Sequence, residues 1–270
     1  MWQSAHPCIL TIEVNMTQTL KGKLALVTGA SRGIGAAIAT RLARDGASVI
    51  VHYASSLERA EAVVNAIRDA GGEAQAVGAN LSNPEGVTAL INSLDGVFGG
   101  KFEGKLDILV NNAGTVEYGP FLESSDTSYD THFNLNVRAP IELAKDAAKR
   151  MIKTGWGRII NIGSAFGEAA PLPGVTLYIA SKFAIRGFTR GLSRELGKYG
   201  VTVNAVQPGP IDTELAPQPG TEEHATMTKL ASVGRFGKPE EIAAAVAYLA
   251  STEASYTTGE SLTVDGGWIA

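Results

Sequence analysis

The chain of 270 residues has one cysteine, Cys8, and no long apolar run. A single cysteine excludes an intrachain disulfide, which agrees with a reducing cytoplasm. No stretch approaches the roughly 18 apolar residues that would cross a bilayer. The first residues also lack the basic segment that opens a signal peptide. We therefore expect a cytoplasmic protein that does not enter a membrane.

Charge is also sparse, with 19% charged residues and a formal net charge of −4. No basic block is present, and phosphate neutralisation needs clustered Lys and Arg, so we expect no nucleic-acid partner. The four histidines are scattered and show no metal-ligand spacing, so we expect no metal site.

Glycine, at 31 residues, and apolar residues, at 44%, are plentiful. Strand-like apolar runs alternate with segments of helical length, and several runs are continuously apolar, as in strands buried on both faces. The predicted strands are 24–28, 48–53, 75–79, 107–112, 157–163, 201–206 and 261–265. The predicted helices are about 34–45, 57–70, 84–97, 126–152, 178–198 and 239–250. This alternation predicts an α/β fold with a doubly wound parallel sheet of about seven strands and helices on both faces.

Three segments fall outside this alternation. Residues 1–15 match no element and Met16 begins a more ordinary start, so we expect 1–19 to be a poorly ordered extension and 20–270 to form one domain. The glycine-rich segment 95–106 is predicted to be a loop. The long segment 210–237 is rich in Pro, Thr and Glu and is predicted to be a substrate lid.

The first strand runs directly into a glycine-rich turn, TGASRGIG, at residues 28–35. Gly29, Gly33 and Gly35 would let a diphosphate approach the backbone, and the following helix would offer free N–H groups. A glycine turn alone is weak support for a binding site, because structural turns also use glycine. Its place between a buried strand and a helix favours a dinucleotide site.

Further motifs follow this turn in a set order. They are NNAG at 111–114, Ser164 after the fifth strand, Tyr178-x-x-x-Lys182, and Pro208-Gly209. With these motifs, residues 20–270 resemble the short-chain dehydrogenase/reductase family. The resemblance implies a Rossmann-type fold, a nicotinamide cofactor, a small-molecule carbonyl or alcohol substrate, and a homotetramer or homodimer.

Tyr178 and Lys182 are four residues apart on a predicted helix and share a face, so the ammonium should lower the tyrosine pKa. The resemblance implies that Tyr178 is the general acid or base and that Lys182 also binds the nicotinamide ribose. It further implies that Ser164 holds the substrate oxygen and that Asn136 holds a water relaying protons to Lys182. Asn134 is the alternative, but the Asn-Val-basic pattern favours Asn136. Each residue alone also fits a purely structural role in packing, in a turn or at a helix kink.

The second strand ends in VIVHYASS, with no acid before Glu58. An acid at the end of this strand would bind the ribose 2′-hydroxyl and disfavour a 2′-phosphate, but Tyr53 stands in its place. Arg32 could pair with a phosphate and Ser55 and Ser56 could donate to it. Alternatively, Arg32 is solvated and the serines cap the next helix. We favour NADP(H) over NAD(H).

The predicted cofactor contacts extend across the carboxyl ends of several strands. They are Gly29, Ser31, Arg32, Gly33, Ile34, Gly35, Tyr53, Ser55, Ser56, Asn80, Leu81, Asn112, Ala113, Gly114, Lys182, Pro208, Gly209, Ile211 and Thr213. Asn80 departs from the family, which usually has an acid there, so its role is open.

The leading hypothesis is NADPH-dependent reduction of a ketone to an alcohol. The segments KGKLALVTGASRGIG and GRFGKPEEIA resemble 3-oxoacyl-carrier-protein reductases and sugar or polyol dehydrogenases of the family. A basic patch for a carrier protein is not obvious, and only Arg138 and Arg186 are candidates for it. The alternatives are an NAD(P)-linked alcohol or sugar dehydrogenase acting oxidatively, and a non-catalytic nucleotide-sensing protein. The intact Ser–Tyr–Lys set disfavours the latter.

Overall fold

A computed structural model describes residues 19–270, in which seven strands form one parallel sheet. The strands are β1 (Leu24–Val27), β2 (Ser48–Tyr53), β3 (Glu73–Gly78), β4 (Ile108–Asn111), β5 (Gly157–Ile162), β6 (Val201–Pro208) and β7 (Ser261–Val264). Their order is β3-β2-β1-β4-β5-β6-β7, with every neighbouring pair parallel. The predicted doubly wound sheet is confirmed. The predicted extension, residues 1–19, lies outside the described residues except for Thr19.

Eight α-helices connect or flank these strands within residues 19–270. They are α1 (Gly33–Arg44), α2 (Leu57–Asp69), α3 (Pro84–Ser93), α4 (Asp126–Phe133), α5 (Ala139–Thr154), α6 (Thr176–Leu196), α7 (Glu222–Leu230) and α8 (Pro239–Ala250). Helices α3 and α8 begin at proline, as predicted, because a missing N–H costs little in the first turn. No helix in the described part of the chain is long and apolar enough to span a membrane.

The sheet separates two apolar cores. In β1, Ala25 and Val27 face the core that contains α1, α2 and α8, whereas Leu24 and Leu26 face the core that contains α3, α5 and α6. Successive side chains of a strand point to opposite faces, so a strand covered on both sides needs apolar residues at every position. This arrangement explains the continuous apolar runs of the sequence.

The segment predicted as one helix over 126–152 is instead interrupted by a π-helical turn at Asn134–Arg138. The Ala139 N–H donates to the carbonyl of Asn134, five residues back. Pro140 has no N–H for the ordinary bond to Asn136, four residues back, so the chain takes the wider turn. The proline was the available signal for this interruption.

The predicted lid and loop also contain helical structure. The lid, 210–237, includes α7, whose N-terminus is capped by the Thr221 hydroxyl accepting from the His224 N–H at 3.2 Å. Thr221 followed by two acidic residues is a helix-start signal, which prediction from the overall composition of the segment overlooked. The loop, 95–106, overlaps a 3₁₀ segment at Leu94–Gly100, whose backbone is non-helical at Val97, Phe98 and Gly99.

Candidate active site

The carboxyl ends of the central strands open into one cleft of about 430 Å³. Strand β1 has β2 on one side and β4 on the other, so the strand order reverses at β1. Such a reversal leaves a crevice for a ligand at the carboxyl ends of the strands. The predicted residues that line this cleft are Gly29, Ser31, Arg32, Gly33, Ile34, Gly35, Ser55, Ser56, Asn80, Leu81, Asn112, Ala113, Gly114, Ser164, Tyr178, Lys182, Pro208, Gly209, Ile211 and Thr213. Residues far apart in sequence therefore meet at one site.

Tyr53 is a predicted cofactor contact that the structure does not bring to the cleft. Its ring packs against Gly78, where a Cβ would lie 2.8 Å from the tyrosine Cζ. Because neighbouring residues of a strand face opposite sides, His52 lines the cleft instead. This placement corrects the predicted Tyr53 contact.

His52 connects the glycine-rich turn to the end of β3, a role that the sequence did not reveal. The Gly29 N–H donates to His52 Nδ1 at 3.1 Å, and His52 Nε2 lies 3.0 Å from the Ala79 carbonyl oxygen. These partners require the proton on Nε2 of a neutral ring. Burial lowers the pKa of His52 to about 4, so the ring stays neutral near pH 7 and braces the turn.

The glycine-rich turn is also held by the end of β4. The Asn112 amide donates to the carbonyl oxygens of Thr28 at 2.9 Å and Gly29 at 3.1 Å. A Cβ on Gly35 would collide with the Gly29 carbonyl oxygen and would lie 2.5 Å from Asn112 Nδ2. The position therefore requires glycine for packing as well as for access.

The N-terminus of α1 has the features of an anion site. Gly33 adopts a φ of 54°, and no side chain of the described residues caps the first turn of the helix. Uncapped N–H groups and the positive end of the helix dipole attract a phosphate. The turn thus fits the diphosphate of a dinucleotide by its backbone, as the sequence suggested.

Tyr178 and Lys182 lie in α6 beside the carboxyl end of β5. Lys182 Nζ donates to the Ile162 carbonyl at 3.0 Å and lies 5.4 Å from the centroid of the Tyr178 ring. Part of the Tyr178 ring faces the cleft, yet burial raises the pKa of Tyr178 to about 12, offset in part by a hydrogen bond with Ser164. Burial also lowers the pKa of Lys182 to about 8.

The expectation that Lys182 lowers the pKa of Tyr178 is therefore not met in this structure. Desolvation of the phenolate is the largest influence on the pKa of Tyr178, whereas the Lys182 amine is itself buried and donates to the Ile162 carbonyl. Tyr178 is consequently protonated near pH 7. A general acid needs that protonation state.

Ser164 follows β5 and is buried beside Tyr178. Its N–H donates to Gln207 Oε1 at 2.6 Å, and its Oγ accepts from the Phe166 N–H at 3.2 Å. The hydroxyl also forms the hydrogen bond with Tyr178, and a carbonyl oxygen that enters the cleft would take the place of that partner. Gln207 Nε2 lies 3.5 Å from Glu168 Oε1, and Glu168 pairs with Arg186 at 2.6 Å.

Gln207 is a positioning residue that the sequence analysis missed. It is fully buried, and its amide packs so tightly against Gly163 that a Cβ there would lie 2.7 Å from Gln207 Cδ. A glutamine inside the otherwise apolar end of β6 was the available signal, because buried polar side chains need partners.

We expect Gln207→Met to lower the free energy of unfolding by about 1–3 kcal/mol, because the buried Ser164 N–H loses its acceptor. We also expect kcat to fall about tenfold as Ser164 loses its alignment. Urea denaturation and steady-state kinetics measure the two effects. Gln218→Met is the control, since Gln218 is exposed and its change should stay within about 0.5 kcal/mol. Equal effects of the two variants would contradict the role of Gln207.

The side-chain contacts of Asn136 favour it over Asn134 as the asparagine of the site. Its Oδ1 accepts from the Thr115 N–H at 2.9 Å, and its Nδ2 donates to the Thr115 carbonyl at 2.9 Å and to Ser181 Oγ at 3.1 Å. Asn136 thereby connects the loop after β4 to the residue next to Lys182. The oxygen and the nitrogen of the Asn136 side-chain amide both have protein partners. The water relay through Asn136 therefore stays a prediction.

The half of the cleft beyond Tyr178 is apolar. It is lined by Val116, Phe166, Met227, Phe236 and Trp268, which belong to the cluster that packs around the tyrosine. Met227 comes from α7 and Trp268 from the C-terminal segment, so neither was predicted as a site residue. Across residues 19–270, no three His, Cys, Asp or Glu side chains are grouped as metal ligands.

Comparisons with known proteins extend over nearly the whole chain. The family model described as Enoyl-(Acyl carrier protein) reductase matches residues 29–269. The 3-oxoacyl-[acyl-carrier-protein] reductase of Vibrio cholerae is 41% identical over 248 residues, which cover 92% of this chain and 98% of the relative. A solved short-chain dehydrogenase/reductase from Serratia marcescens is 44% identical, with a TM-score of 0.87 over 93% of this chain and 100% of its own. A short-chain dehydrogenase from Burkholderia cenocepacia, solved in complex with NADP, is 41% identical, with a TM-score of 0.86 and the same coverage, 93% and 100%.

Proposed function

Since this chain belongs to the short-chain dehydrogenase/reductase family and is therefore an NAD(P)-dependent oxidoreductase, we propose that it uses NADPH to reduce an apolar ketone to an alcohol. One observation carries the proposal. Ser164, Tyr178 and Lys182 line the same cleft as the glycine-rich turn, and burial keeps Tyr178 protonated near pH 7. A protonated phenol beside a serine hydroxyl suits a carbonyl oxygen that must gain a proton.

The end of β2 supports NADPH as the cofactor. The side chains that line the cleft after His52 are Ala54, Ser55 and Ser56, none of which would repel a 2′-phosphate. Ser56 precedes α2 without the predicted hydrogen bond to the helix N-terminus, so its hydroxyl can serve a ligand. The Burkholderia relative was solved with NADP.

The proposed mechanism assigns a task to each side chain. Bound NADPH supplies the hydride. The glycine-rich turn and the N-terminus of α1 hold its diphosphate. Ser164 donates a hydrogen bond to the carbonyl oxygen and orients the ketone, and Tyr178 transfers its phenolic proton to that oxygen as the alcohol forms. The Lys182 ammonium stabilises the phenolate that Tyr178 becomes, and it also binds the nicotinamide ribose.

The apolar half of the cleft supports a ketone that is not attached to a carrier protein. Arg186, one of two arginines considered for carrier docking, pairs with Glu168 at 2.6 Å and is largely buried. The other, Arg138, pairs with Glu142 at 2.7 Å. With both cations paired, an acidic carrier gains little from them. The carrier-linked substrate named for the Vibrio relative is the second candidate.

A substrate panel tests the function directly. Aryl and alkyl ketones, an acyl-thioester mimic of a 3-oxoacyl carrier, and polar sugars would each be mixed with NADPH or NADH, and cofactor absorbance would be followed. We expect turnover of apolar ketones with NADPH. Turnover confined to the thioester mimic would favour the second candidate. Oxidation of alcohols or sugars with NAD⁺, without ketone reduction, would overturn the proposal.

We expect kcat/KM for ketone reduction to fall as pH rises through about 8. Burial lowers the pKa of Lys182 to about 8, so its ammonium is present below that pH and is lost above it. Tyr178, with its pKa raised to about 12, stays protonated over the same range and does not cause the fall. The profile is measured from about pH 6 to about pH 10, because kcat/KM reports groups of the free enzyme. Circular dichroism at each pH checks that the fold persists, and a flat profile would contradict the role of Lys182.

A further inference from the structure

Two arginines and one glutamate meet at the mouth of the cofactor cleft. Arg59 Nη1, in the first turn of α2, lies 2.9 Å and 2.8 Å from the two carboxylate oxygens of Glu214. Arg32 Nη1, in the glycine-rich turn, lies 3.0 Å from one of them. Glu214 stands at the start of the lid, next to Thr213, which packs against Gly33. Three separate segments are thus joined through one carboxylate.

This cluster contributes little to stability but leaves a positive charge in excess. All three side chains are about half exposed, at 49%, 49% and 57% for Arg32, Arg59 and Glu214. Exposed ion pairs stabilise a fold only weakly, because water screens them. Two guanidinium groups facing one carboxylate retain one uncompensated positive charge. They would be better neutralised by a doubly charged anion.

The position of the Glu214 carboxylate marks where such an anion can sit. Arg59 reaches both oxygens through one nitrogen, whereas a phosphate offers three terminal oxygens to the guanidinium forks. Arg32 and Glu214 line the same cleft as Ser55 and Ser56, which follow the end of β2. In dinucleotide folds the end of this strand faces the adenosine ribose, whose 2′-oxygen carries the additional phosphate of NADPH.

We infer that Arg59 binds the 2′-phosphate of NADPH together with Arg32, and that Glu214 competes with that phosphate for both arginines. The inference deepens the proposed function and rests on its choice of NADPH. Arg59 then raises the preference for the phosphorylated cofactor and Glu214 lowers it. Binding of the phosphate also releases Glu214, and with it the connection between the lid and the nucleotide site.

Two nucleotide fragments isolate the contribution of the 2′-phosphate to binding from that of the rest of the cofactor. Adenosine 2′,5′-bisphosphate carries the additional phosphate and AMP does not, and neither reaches the catalytic residues. Isothermal titration calorimetry would measure both fragments with the wild type, Arg59→Gln, Glu214→Gln and the double variant. Arg44→Gln is the matched control, because Arg44 is a 54% exposed arginine on α1 that does not line the cleft.

We expect Arg59→Gln to weaken binding of the bisphosphate about tenfold and to leave AMP within about twofold, because it removes a charge-assisted contact to the 2′-phosphate. Glu214→Gln should strengthen binding of the bisphosphate about threefold to tenfold without changing AMP, since the competitor loses its charge. In the double variant the gain from Glu214→Gln should shrink, because the two residues share one site. Arg44→Gln should change neither fragment.

The outcomes distinguish this inference from the proposed function. If the wild type binds both fragments equally, the NADPH preference itself is wrong and the inference falls with it. If the wild type prefers the bisphosphate but Arg59→Gln retains that preference in full, only the role of Arg59 is overturned. If Glu214→Gln strengthens both fragments equally or neither, competition by Glu214 is overturned. The melting temperature of each variant checks that the fold is unchanged, because the substituted side chains are all exposed.

Discussion

Tyr178→Phe is expected to lower kcat for ketone reduction by about 10³-fold, within the 10²–10⁴ range typical of a lost general acid. The phenylalanine ring keeps the contact between residue 178 and Phe166, whose centroid lies 6.0 Å from that of Tyr178, so the wall of the cleft should persist. Only the hydroxyl that we propose as the proton donor is removed. Steady-state kinetics with a ketone and NADPH measure the loss.

Tyr118→Phe is the matched control for this experiment. Tyr118 lines the same cleft and is 61% exposed, but it lies outside the Ser164–Tyr178–Lys182 group. We expect this variant to stay within about threefold of the wild type, as for a side chain that transfers no proton. NADPH affinity should be unchanged in both variants. Full activity of Tyr178→Phe, or equal losses in the two variants, would show that another group supplies the proton.

Gly35→Ala is expected to weaken NADPH binding by about 100-fold or more and to lower the free energy of unfolding by about 1–3 kcal/mol. The new methyl group would meet the Gly29 carbonyl oxygen, Asn112 Nδ2 and the Ala30 Cα, which would lie 2.9 Å away. Backbone atoms cannot rotate out of the way, so the turn must shift away from the phosphate site. Fluorescence titration with NADPH and urea denaturation measure the two effects.

A second glycine separates this steric effect from the general effect of replacing glycine. Gly96 has open space around its Cβ position and does not adopt a positive φ. We therefore expect Gly96→Ala to leave NADPH affinity unchanged and to alter stability by less than about 1 kcal/mol. Wild-type affinity in Gly35→Ala would mean that the turn is looser than its contacts indicate.

Much of the fold followed from local patterns in the sequence. Continuously apolar runs such as LALV in β1 arise because each parallel strand is covered on both faces, and Pro84 and Pro239 begin helices as expected. The π-helical turn and α7 were missed because each depends on one or two residues, Pro140 and Thr221, inside a longer segment with a different overall pattern. Hydrophobic periodicity is averaged over a window of many residues, so it gives little signal for a feature that depends on one or two of them.

The residues that line the cleft were also largely predictable from the sequence, but their side-chain contacts were not. Strand alternation turned His52 rather than Tyr53 toward the cleft, and the partners of Ser164 and Asn136 come from β6, α6 and the loop after β4. The pKa of Tyr178 was expected to fall with Lys182 nearby and is instead raised, because burial depends on neighbours that the spacing of two residues does not reveal.

The sequence by itself determined the sheet, the glycine-rich turn and the identity of the Ser–Tyr–Lys set, because these depend on residue type and spacing along a strand or helix. Only the tertiary structure decided which groups are desolvated, which hydrogen bonds hold Gln207 and Asn136, and which acid faces Arg32 and Arg59. Those properties are set by contacts between segments distant in the chain. Tyr178 and Lys182 thus owe their place to helical spacing, whereas their protonation states are set by burial in the folded protein.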